Sequence, residues 1–352
     1  MGVEFIGMIG VSPEGGGARV HVIDGGISAD FITEFSQAHE AAGFDLVLVG
    51  YTSGAADGLA VAQHAAYQTS SLRYLIAHRP GFVAPTLAAR KFATLDQLTR
   101  GRVAVHIITG VSDKEQAGDG DFLAKDDRYR RSSEYIDILR QSWTAPARFS
   151  YEGEFYRVED AFSQIKPVQQ PHPPVFFGGS SESATKVGGA KADVYALFGE
   201  PRAALKERMN EIRQIAIENG RTIDFSVSLR PIIAPIEAEA WAKANDVLRE
   251  IEESHAYSGK PLDKSGARMM AHAESADVHD ERLWMGIARA TGAVGNTSCL
   301  VGTPEQVAES LAAYHDLGVK YFLIRGFDPV SDAAEYGKEL IPMVKSLTAR
   351  SR

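Results

Sequence analysis

Cysteine is almost absent from this chain of 352 residues, because Cys299 is its only one. A single thiol forms neither an intramolecular disulfide nor a zinc site built from several thiolates. A lone cysteine of this kind is expected to be a buried structural thiol. The fold must therefore be held together without covalent cross-links.

Long apolar runs and basic clusters are also lacking. No apolar run approaches the roughly 20 residues that a membrane-spanning helix needs, and residues 1–10 lack the basic start and long apolar core of a secretory signal. The formal net charge is -9, with no compensating block of Lys and Arg, which argues against a nucleic-acid or anionic-membrane partner. We expect a cytoplasmic enzyme, in which a small anionic substrate would need locally placed arginines.

Several catalytic and metal-binding motifs are missing as well. The chain contains no His-x-His, His-Glu-x-x-His or comparable ligand set, so no metal site is predicted. It contains no Gly-x-Ser-x-Gly elbow, no Walker loop and no strand followed by Gly-x-Gly-x-x-Gly. Hydrolase, P-loop and Rossmann interpretations are therefore without support.

Short apolar runs alternate with amphipathic helical patterns along the whole chain. The clearest unit is residues 72–110, in which two β-rich runs flank one helix, as in a strand, a crossover helix and a parallel strand. Eight such runs occur, near residues 3–9, 45–49, 72–77, 103–108, 175–178, 193–197, 224–230 and 321–325. This pattern predicts an α/β fold, the (β/α)8 TIM barrel, as one domain over residues 1–352.

Two insertions interrupt the predicted barrel. After the fourth strand come a polar loop over residues 111–126, a helix over about 127–143, and a hairpin over 149–158 that turns at Glu152-Gly153. After the seventh helix, residues 255–281 are polar and show no clear period. This second insertion, about 255–284, is either a lid over the active site or a disordered surface loop.

Gly178-Gly179-Ser180-Ser181 lies between an apolar strand and a helix that begins at Glu182. Glycines allow close backbone approach, hydroxyls donate hydrogen bonds, and a helix N-terminus presents free N–H groups with a positive dipole end. Together these features predict a cradle for phosphate or sulfate. The same four residues could equally form an ordinary tight turn with a serine cap.

Polar residues lie in the second half of several predicted strands or directly after them, towards the carboxyl ends where active sites of this fold lie. They are His78, Arg79, His106, Thr109, Ser228, Arg230 and Arg325, and Phe327 follows the last of them. Arg230, Arg325 and Arg289 could converge on an anion through forked hydrogen bonds, or each could form a salt bridge elsewhere. His106 lies mid-strand and is either a hydrogen-bonded core histidine or a functional one.

The chain resembles the bacterial luciferase-like flavin monooxygenases, and most of all their FMNH2-dependent alkanesulfonate monooxygenases. The resemblance covers nearly the whole chain. It rests on A-H-R-P-G-F-V-A-P-T-L-A-A-R-K-F (77–92), G-R-V-A-V-H-I-I-T-G (101–110), G-D-G-D-F-L (118–123), R-Y-R-R-S-S-E-Y (128–135), P-V-F-F-G-G-S-S (174–181), L-W-M-G-I-A-R (283–289) and L-V-G-T-P-E-Q (300–306).

This resemblance implies a two-component monooxygenase that uses O2 and reduced FMN, delivered by a separate NAD(P)H:flavin reductase, to release sulfite and an aldehyde from an organosulfonate. It implies that Gly179, Ser180 and Ser181 form the FMN-phosphate loop and that Thr109 and Tyr129 line the flavin pocket. Arg289 matches the lid arginine of the sulfonate enzymes. A homodimer or homotetramer is also expected by resemblance.

The departures from the alkanesulfonate pattern concern the substrate. Ser228 and Arg230 stand where those enzymes have an Arg and, two residues on, a His; Phe327 replaces a tyrosine and Ala55 a cysteine. An arginine is thus kept but displaced, which favours a functionalised sulfonate, such as a sulfosugar, over a simple linear one. Ser228, Arg325 and Phe327 are the predicted substrate-binding residues.

Arg230, Arg289 and His78 are predicted to orient the anion and stabilise developing charge. Two other functions stay open. One is a deazaflavin (F420)-dependent oxidoreductase of the same fold, which transfers hydride without oxygen. The other is a non-catalytic flavin-binding barrel.

Overall fold

Eight parallel strands close into a barrel in the computed structural model, which describes residues 2–13, 20, 23, 25–110 and 112–350. The strands of the chain are β1 (Glu4–Met8), β2 (Leu46–Val49), β3 (Arg73–His78), β4 (Val103–Ile107), β5 (Phe149–Glu152), β6 (Arg157–Ala161), β7 (Val175–Gly178), β8 (Val194–Phe198), β9 (Asp224–Ile233), β10 (Val278–His279), β11 (Leu283–Trp284), β12 (Cys299–Gly302) and β13 (Val319–Ile324).

Barrel closure is visible in the strand pairing. The order β1-β2-β3-β4-β7-β8-β9-β13 is parallel throughout, and β13 returns to β1 with Glu4 opposite Tyr321. All eight strands predicted from the apolar runs are present. The prediction of a (β/α)8 TIM barrel is therefore confirmed.

Helices surround this barrel. They are α1 (Ala29–Ala41), α2 (Gly58–Tyr67), α3 (Pro85–Thr99), α4 (Asp113–Gly118), α5 (Lys125–Thr144), α6 (Glu182–Lys191), α7 (Arg202–Glu218), α8 (Glu237–Ser254), α9 (Lys264–Ser275), α10 (Gly286–Thr291), α11 (Pro304–Asp316), α12 (Pro329–Glu335) and α13 (Ile341–Arg350). Among the described helices, none is both long and apolar enough to cross a lipid bilayer.

The barrel interior changes character along its axis. Its amino-terminal part is a compact apolar core of alternate strand residues, namely Ile6, Leu46, Leu75, Ala104, Phe176, Val194 and Tyr321. Towards the carboxyl ends, the same inward-facing alternation brings His106, Ser226, Ser228 and Arg325 into the interior. The packed half supports the barrel, and the polar half is open to a ligand.

The first insertion contains the predicted hairpin and a helix that the sequence did not suggest. Strands β5 and β6 pair antiparallel, with Glu152 opposite Arg157. The polar loop over residues 111–126 was predicted without secondary structure, yet it contains α4. Ser112 caps this helix by accepting a hydrogen bond from the Glu115 amide.

The second insertion is more ordered than its polar sequence suggests. Its helix α9 begins after Asp263, whose carboxylate accepts a hydrogen bond from the Gly266 amide at 2.7 Å. Gly266, Met269 and Ala273 form its buried face. The sequence also predicts a helix over residues 283–290, which is wrong at its start, where β11 pairs with β12, and correct from Gly286 onward.

The sequence predicts one closing helix over residues 333–347, but this helix is not continuous. Its place is taken by α12, a π-helical turn over Tyr336–Leu340, and α13. The sequence G-T-P-E-Q (302–306) predicts a helix that starts at a proline with Thr303 as its cap, and α11 confirms it with a full capping box between Thr303 and Gln306. Strand β12 was not predicted, and it extends the sheet by pairing parallel with the far half of β9.

Candidate active site

A cavity of about 510 Å³ opens at the carboxyl ends of the barrel strands. This volume lies within the roughly 300–1,000 Å³ typical of small-molecule sites. All eight barrel strands or the loops after them contribute to its wall, and α9 and the α10–β12 loop cover part of its mouth. The cavity is where enzymes of this fold carry out their chemistry.

One corner of the cavity is the turn between β7 and α6. Gly179 has φ +142°, and a Cβ placed there would lie 2.7 Å from the Ala184 Cβ, so a glycine is required at this position. Ser180 lines the cavity, whereas Ser181 caps α6 by accepting a hydrogen bond from the Ala184 amide at 3.1 Å. The turn is thus both a capped helix start and a surface open to the cavity.

Two side chains hold the carbonyl of Gly179 from behind. Arg208 Nη2 and the Tyr195 hydroxyl each donate to this oxygen at 3.0 Å. Arg208 also forms an ion pair with the buried Glu200 at 2.8 Å. Tyr129 lines the cavity beside this turn, and its hydroxyl would lie 3.2 Å from a Cβ on Gly179.

Helix α9 reaches the same corner from the second insertion. Ser265, in its first turn, donates from Oγ to the Ser180 Oγ at 3.0 Å. Lys125, at the start of α5, also lines the cavity. The amino ends of α6 and α9 and one lysine therefore meet here, an arrangement that favours an anion.

A second positive group, Arg325, lies at the end of β13. Its Nη1 is 2.9 Å from the Met8 Sδ and its Nη2 donates to the Gly295 carbonyl, while Nε has no hydrogen-bond partner. Burial and the neighbouring Arg230 lower the pKa of Arg325 well below its ordinary value. In the described part of the chain, no carboxylate forms an ion pair with Arg325, which leaves its charge available to a ligand.

Arg79 lines the cavity together with Arg208 and Arg325. Its charge, unlike that of Arg325, is balanced by a carboxylate. Its Nη2 pairs with Glu115 Oε1 at 2.9 Å and its Nη1 donates to the Ser53 Oγ at 3.1 Å. Asp119 lies 3.7 Å away, and the guanidinium carbon stacks 4.5 Å from the Tyr51 ring centre. Helix α4 supplies Glu115, so this unpredicted helix completes one wall of the cavity.

Residues 9–321 match the luciferase-like monooxygenase family. The chain belongs to the luciferase-like monooxygenase family. A riboflavin lyase (RcaE), solved with modified FMN and riboflavin, is 19% identical over 98% of this chain and 92% of that one, with a TM-score of 0.78. A long-chain alkane monooxygenase (LadA) is 18% identical over 100% and 92%, with a TM-score of 0.77.

An F420-dependent secondary alcohol dehydrogenase, solved with an F420-acetone adduct, is 18% identical over 98% of this chain and 99% of that one, with a TM-score of 0.69. At such identities these structures share the fold alone. Family membership supports a flavin-dependent monooxygenase and confirms the resemblance seen in the sequence at family level.

The luciferase-like fold brings six of the predicted site residues to one cavity. They are Thr109, Tyr129, Gly179, Ser180, Ser228 and Arg325. The other five, His78, Arg230, Arg289, Ser181 and Phe327, are absent from the cavity wall in the described part of the chain. Contact with a ligand stays a prediction for all eleven.

Arg230 is buried beside the cavity and fully engaged. Its guanidinium donates to the carbonyls of Val20 at 2.7 Å, Asn296 at 2.9 Å, Gly326 at 3.0 Å and Gly295 at 3.3 Å. Burial lowers its pKa to about 10, so it stays protonated at neutral pH. Phe327 packs on it, with the ring centre 4.7 Å from the guanidinium carbon.

His78 and Arg289 also have protein partners. His78 Nε2 lies 2.7 Å from the Tyr135 hydroxyl, and burial lowers the pKa of His78 to about 4, so the ring is neutral. Arg289 Nη2 is 2.5 Å from Asp277 Oδ1 and also donates to the Ala273 carbonyl, which ties α10 to the end of α9. Both side chains are therefore engaged within the protein in this luciferase-like fold.

The sequence interpretation missed many residues of the cavity wall, and four of them bear on the site's chemistry. They are Lys125, Ser265, Ser226 and Glu115. Lys125 and Glu115 lie in the first turns of α5 and α4, which follow the fourth barrel strand, and a long polar loop at the carboxyl end of a strand is the signal that could have indicated them. Ser265 lies in an insertion without a clear period, so only the capping pattern of Asp263 and Gly266 could have indicated a helix there.

Proposed function

We propose that this protein is a two-component monooxygenase that uses reduced FMN and O2 to cleave the C–S bond of a small, functionalised organosulfonate. The products are sulfite and an aldehyde. A separate NAD(P)H:flavin reductase supplies the reduced FMN. The overall reaction consumes reduced FMN, O2 and the sulfonate, and yields oxidised FMN, water, sulfite and the aldehyde.

The observation that carries this proposal is the presence of two separate positive subsites in one cavity. The first is the corner between Ser180, Ser265 and Lys125, and the second is Arg325. One anionic ligand would leave the other subsite empty. A phosphate-bearing cofactor together with an anionic substrate uses both.

The first subsite fits the phosphate of FMN. The forced glycine at 179 keeps the turn open to a ligand, and the carbonyl of Gly179 is turned back towards Arg208 and Tyr195. Ser180, Lys125 and Tyr129 would donate to the phosphate oxygens. Thr109, at the end of β4, lines the adjoining wall for the flavin ring.

The second subsite fits a sulfonate. A guanidinium binds such a tetrahedral anion through charge-assisted hydrogen bonds, and Arg325 has an unpartnered Nε and no carboxylate competitor among the described residues. Ser228 lies on the neighbouring strand, opposite Leu323, and can add a hydroxyl. The bound reduced FMN supplies the electrons for oxygen chemistry, while Arg325 fixes the sulfonate and stabilises negative charge on the departing sulfite.

The second insertion is proposed as the lid. It lies over the cavity through Leu262, Asp263 and Ser265, and excludes water from bound reduced FMN. Arg289 would act by holding this lid against α10, and Arg230 and His78 by supporting the rim. The single-domain organisation, the cytoplasmic location and a homodimeric or homotetrameric state remain parts of this proposal.

The test is a sulfite-release assay with reduced FMN, a flavin reductase and O2 over a panel of sulfonates. We expect release from at least one functionalised sulfonate, and at least a tenfold loss of kcat/KM in Arg325→Met. Anaerobic titration with reduced FMN and reduced F420 separates the deazaflavin alternative, since only the proposed enzyme prefers FMN and consumes oxygen. Ligand binding without sulfite from any sulfonate would support a non-catalytic barrel and refute the proposal.

A further inference from the structure

His106 is a histidine of the cavity wall without a hydrogen-bond partner. It points inward from the middle of β4, opposite Phe176 of β7. Its Nδ1 is buried, and no group in the described ranges hydrogen-bonds to it. Burial alone lowers its pKa to about 4, so the imidazole is neutral at physiological pH.

Three other histidines, His39, His78 and His172, form hydrogen bonds within the protein, whereas His272 Nε2 is, like His106 Nδ1, a buried nitrogen without a hydrogen-bond partner in the described part of the chain. His39 Nδ1 lies 2.8 Å from the Phe35 carbonyl, His78 Nε2 lies 2.7 Å from the Tyr135 hydroxyl, and His172 Nδ1 lies 2.9 Å from the Pro173 carbonyl. These are hydrogen-bonded core histidines. His106 therefore does not match the core alternative that its mid-strand position left open.

An unpartnered buried nitrogen calls for a partner from outside the protein, because almost all buried polar groups in folded proteins are hydrogen-bonded. The surroundings of His106 on the protein side are mainly apolar. Leu75 and Phe176 line the same region, and the His106 Cε1 would lie 3.8 Å from a Cβ on Gly178. His106 lines the cavity, so a ligand bound there is the group that can reach its ring.

The chemistry of that partner follows from the charge of the ring. A neutral imidazole offers one donor and one acceptor and has no charge with which to bind an anion. The anion has its own site at Arg325, on the far side of β7, β8 and β9 in the strand order. Ser226 and Ser228 add two further neutral groups on β9. A hydroxyl group matches all three.

We propose that His106 hydrogen-bonds to a hydroxyl of the substrate and thereby selects hydroxylated sulfonates over their alkane analogues. This inference rests on the proposed function, because the sulfonate at Arg325 fixes the substrate in the cavity. An alkanesulfonate of equal length would bury His106 with its nitrogens unpaired. Sites built to hydrogen-bond a substrate hydroxyl reject analogues without it by large factors, since the site's polar groups are then left without partners.

The test compares two probes with six carbons, the sulfosugar 6-deoxy-6-sulfoglucose and hexane-1-sulfonate. Their dissociation constants are measured by calorimetry on anaerobic enzyme saturated with reduced FMN. Wild type should prefer the sulfosugar by at least tenfold. His106→Phe should lose that preference through weaker sulfosugar binding, with hexanesulfonate bound as tightly as before and the dissociation constant for FMN within twofold of wild type.

His106→Asn is the matched control, because an amide keeps a donor and an acceptor and should restore part of the preference. If His106→Phe does not fold, the binding ratio of His106→Asn is compared with that of wild type instead. An unchanged binding ratio in both variants, or a loss of FMN affinity in place of the sulfosugar preference, overturns the inference. The first result would show that His106 contacts no substrate, and the second that it contacts the flavin.

The binding assay separates this inference from the proposed reaction. A sulfosugar that binds through His106, together with no sulfite release from any sulfonate of the panel, refutes the reaction and leaves the inference standing. Sulfite release with an unchanged binding ratio refutes the inference alone. If neither sulfonate binds the wild-type protein, the inference is refuted, and the sulfite-release panel decides the reaction separately.

Discussion

The two buried arginines at the cavity should respond in opposite ways to the same substitution. Arg230 donates to four backbone carbonyls, whereas Arg325 makes one carbonyl contact and one weak contact to a thioether. Methionine approximates the length of arginine without its charge. Arg230→Met and Arg325→Met are therefore a matched pair that separates structural support from ligand binding.

The expected changes in the free energy of unfolding follow from the polar groups that each substitution leaves without a hydrogen-bond partner. Arg230→Met leaves buried carbonyls of Val20, Asn296 and Gly326 without a donor, each at roughly 1–3 kcal/mol. Because such terms are not additive, we expect a loss of about 3–5 kcal/mol in the free energy of unfolding. Arg325→Met removes a largely buried cation that has no carboxylate partner. The relief of its desolvation offsets the lost contacts, so stability should stay within about 1 kcal/mol of wild type or rise.

The assay is urea unfolding of the ligand-free protein, followed by the fluorescence of its three tryptophans. Sulfonate binding is then measured on both variants under conditions in which they are folded. Only Arg325→Met should lose sulfonate affinity while keeping its urea midpoint. If Arg325→Met proved as destabilising as Arg230→Met, the reasoning that Arg325 is a spare charge for a ligand would fail.

Three other predictions follow. Gly179→Ala should raise the dissociation constant for FMN at least tenfold, because the new methyl group clashes within the turn. Fluorescence titration measures this constant, and an unchanged affinity for FMN would contradict the assignment of the turn as the phosphate site. Ser265→Ala should speed FMN release in stopped-flow experiments without changing the urea midpoint, and an unchanged rate would show that α9 does not retain the cofactor. The free energy of unfolding should fall as pH drops from 6.5 towards 4. Burial lowers the pKa values of His39, His78 and His106 to about 4 in the folded protein, so on acidification the unfolded chain takes up protons at these histidines first. A urea midpoint that does not change over this pH range would contradict this prediction.

The barrel could be predicted from the sequence because its information is local. Each barrel strand is a short apolar run, and several helices carry their own cap, as in α11 with Thr303. The same is true of the turn at Ser180, where two glycines and two serines precede a helix. Residues that act through their immediate chain neighbours were therefore placed correctly.

Arg230 shows where local information ends. Its place on β9 predicts an inward side chain by simple alternation. The strand, however, continues beyond the barrel and pairs with β12, where Arg230 lies opposite Cys299. This pairing depends on a strand about 70 residues away, so the alternation of the barrel no longer decides where Arg230 points. The contact of Ser265 with Ser180, 85 residues apart, was out of reach for the same reason.

The hydrogen bonds of Arg230 have a consequence for protein engineering. One side chain joins the segment at Val20, the α10–β12 loop at Asn296 and the β13–α12 loop at Gly326, so these three pieces of chain cannot be exchanged one at a time. A chimera that imports only one of these loops from a relative would displace one of the carbonyls that the planar Arg230 guanidinium binds at the same time. Loop libraries meant to alter substrate scope in this barrel should move the three segments as a set, with the arginine that ties them.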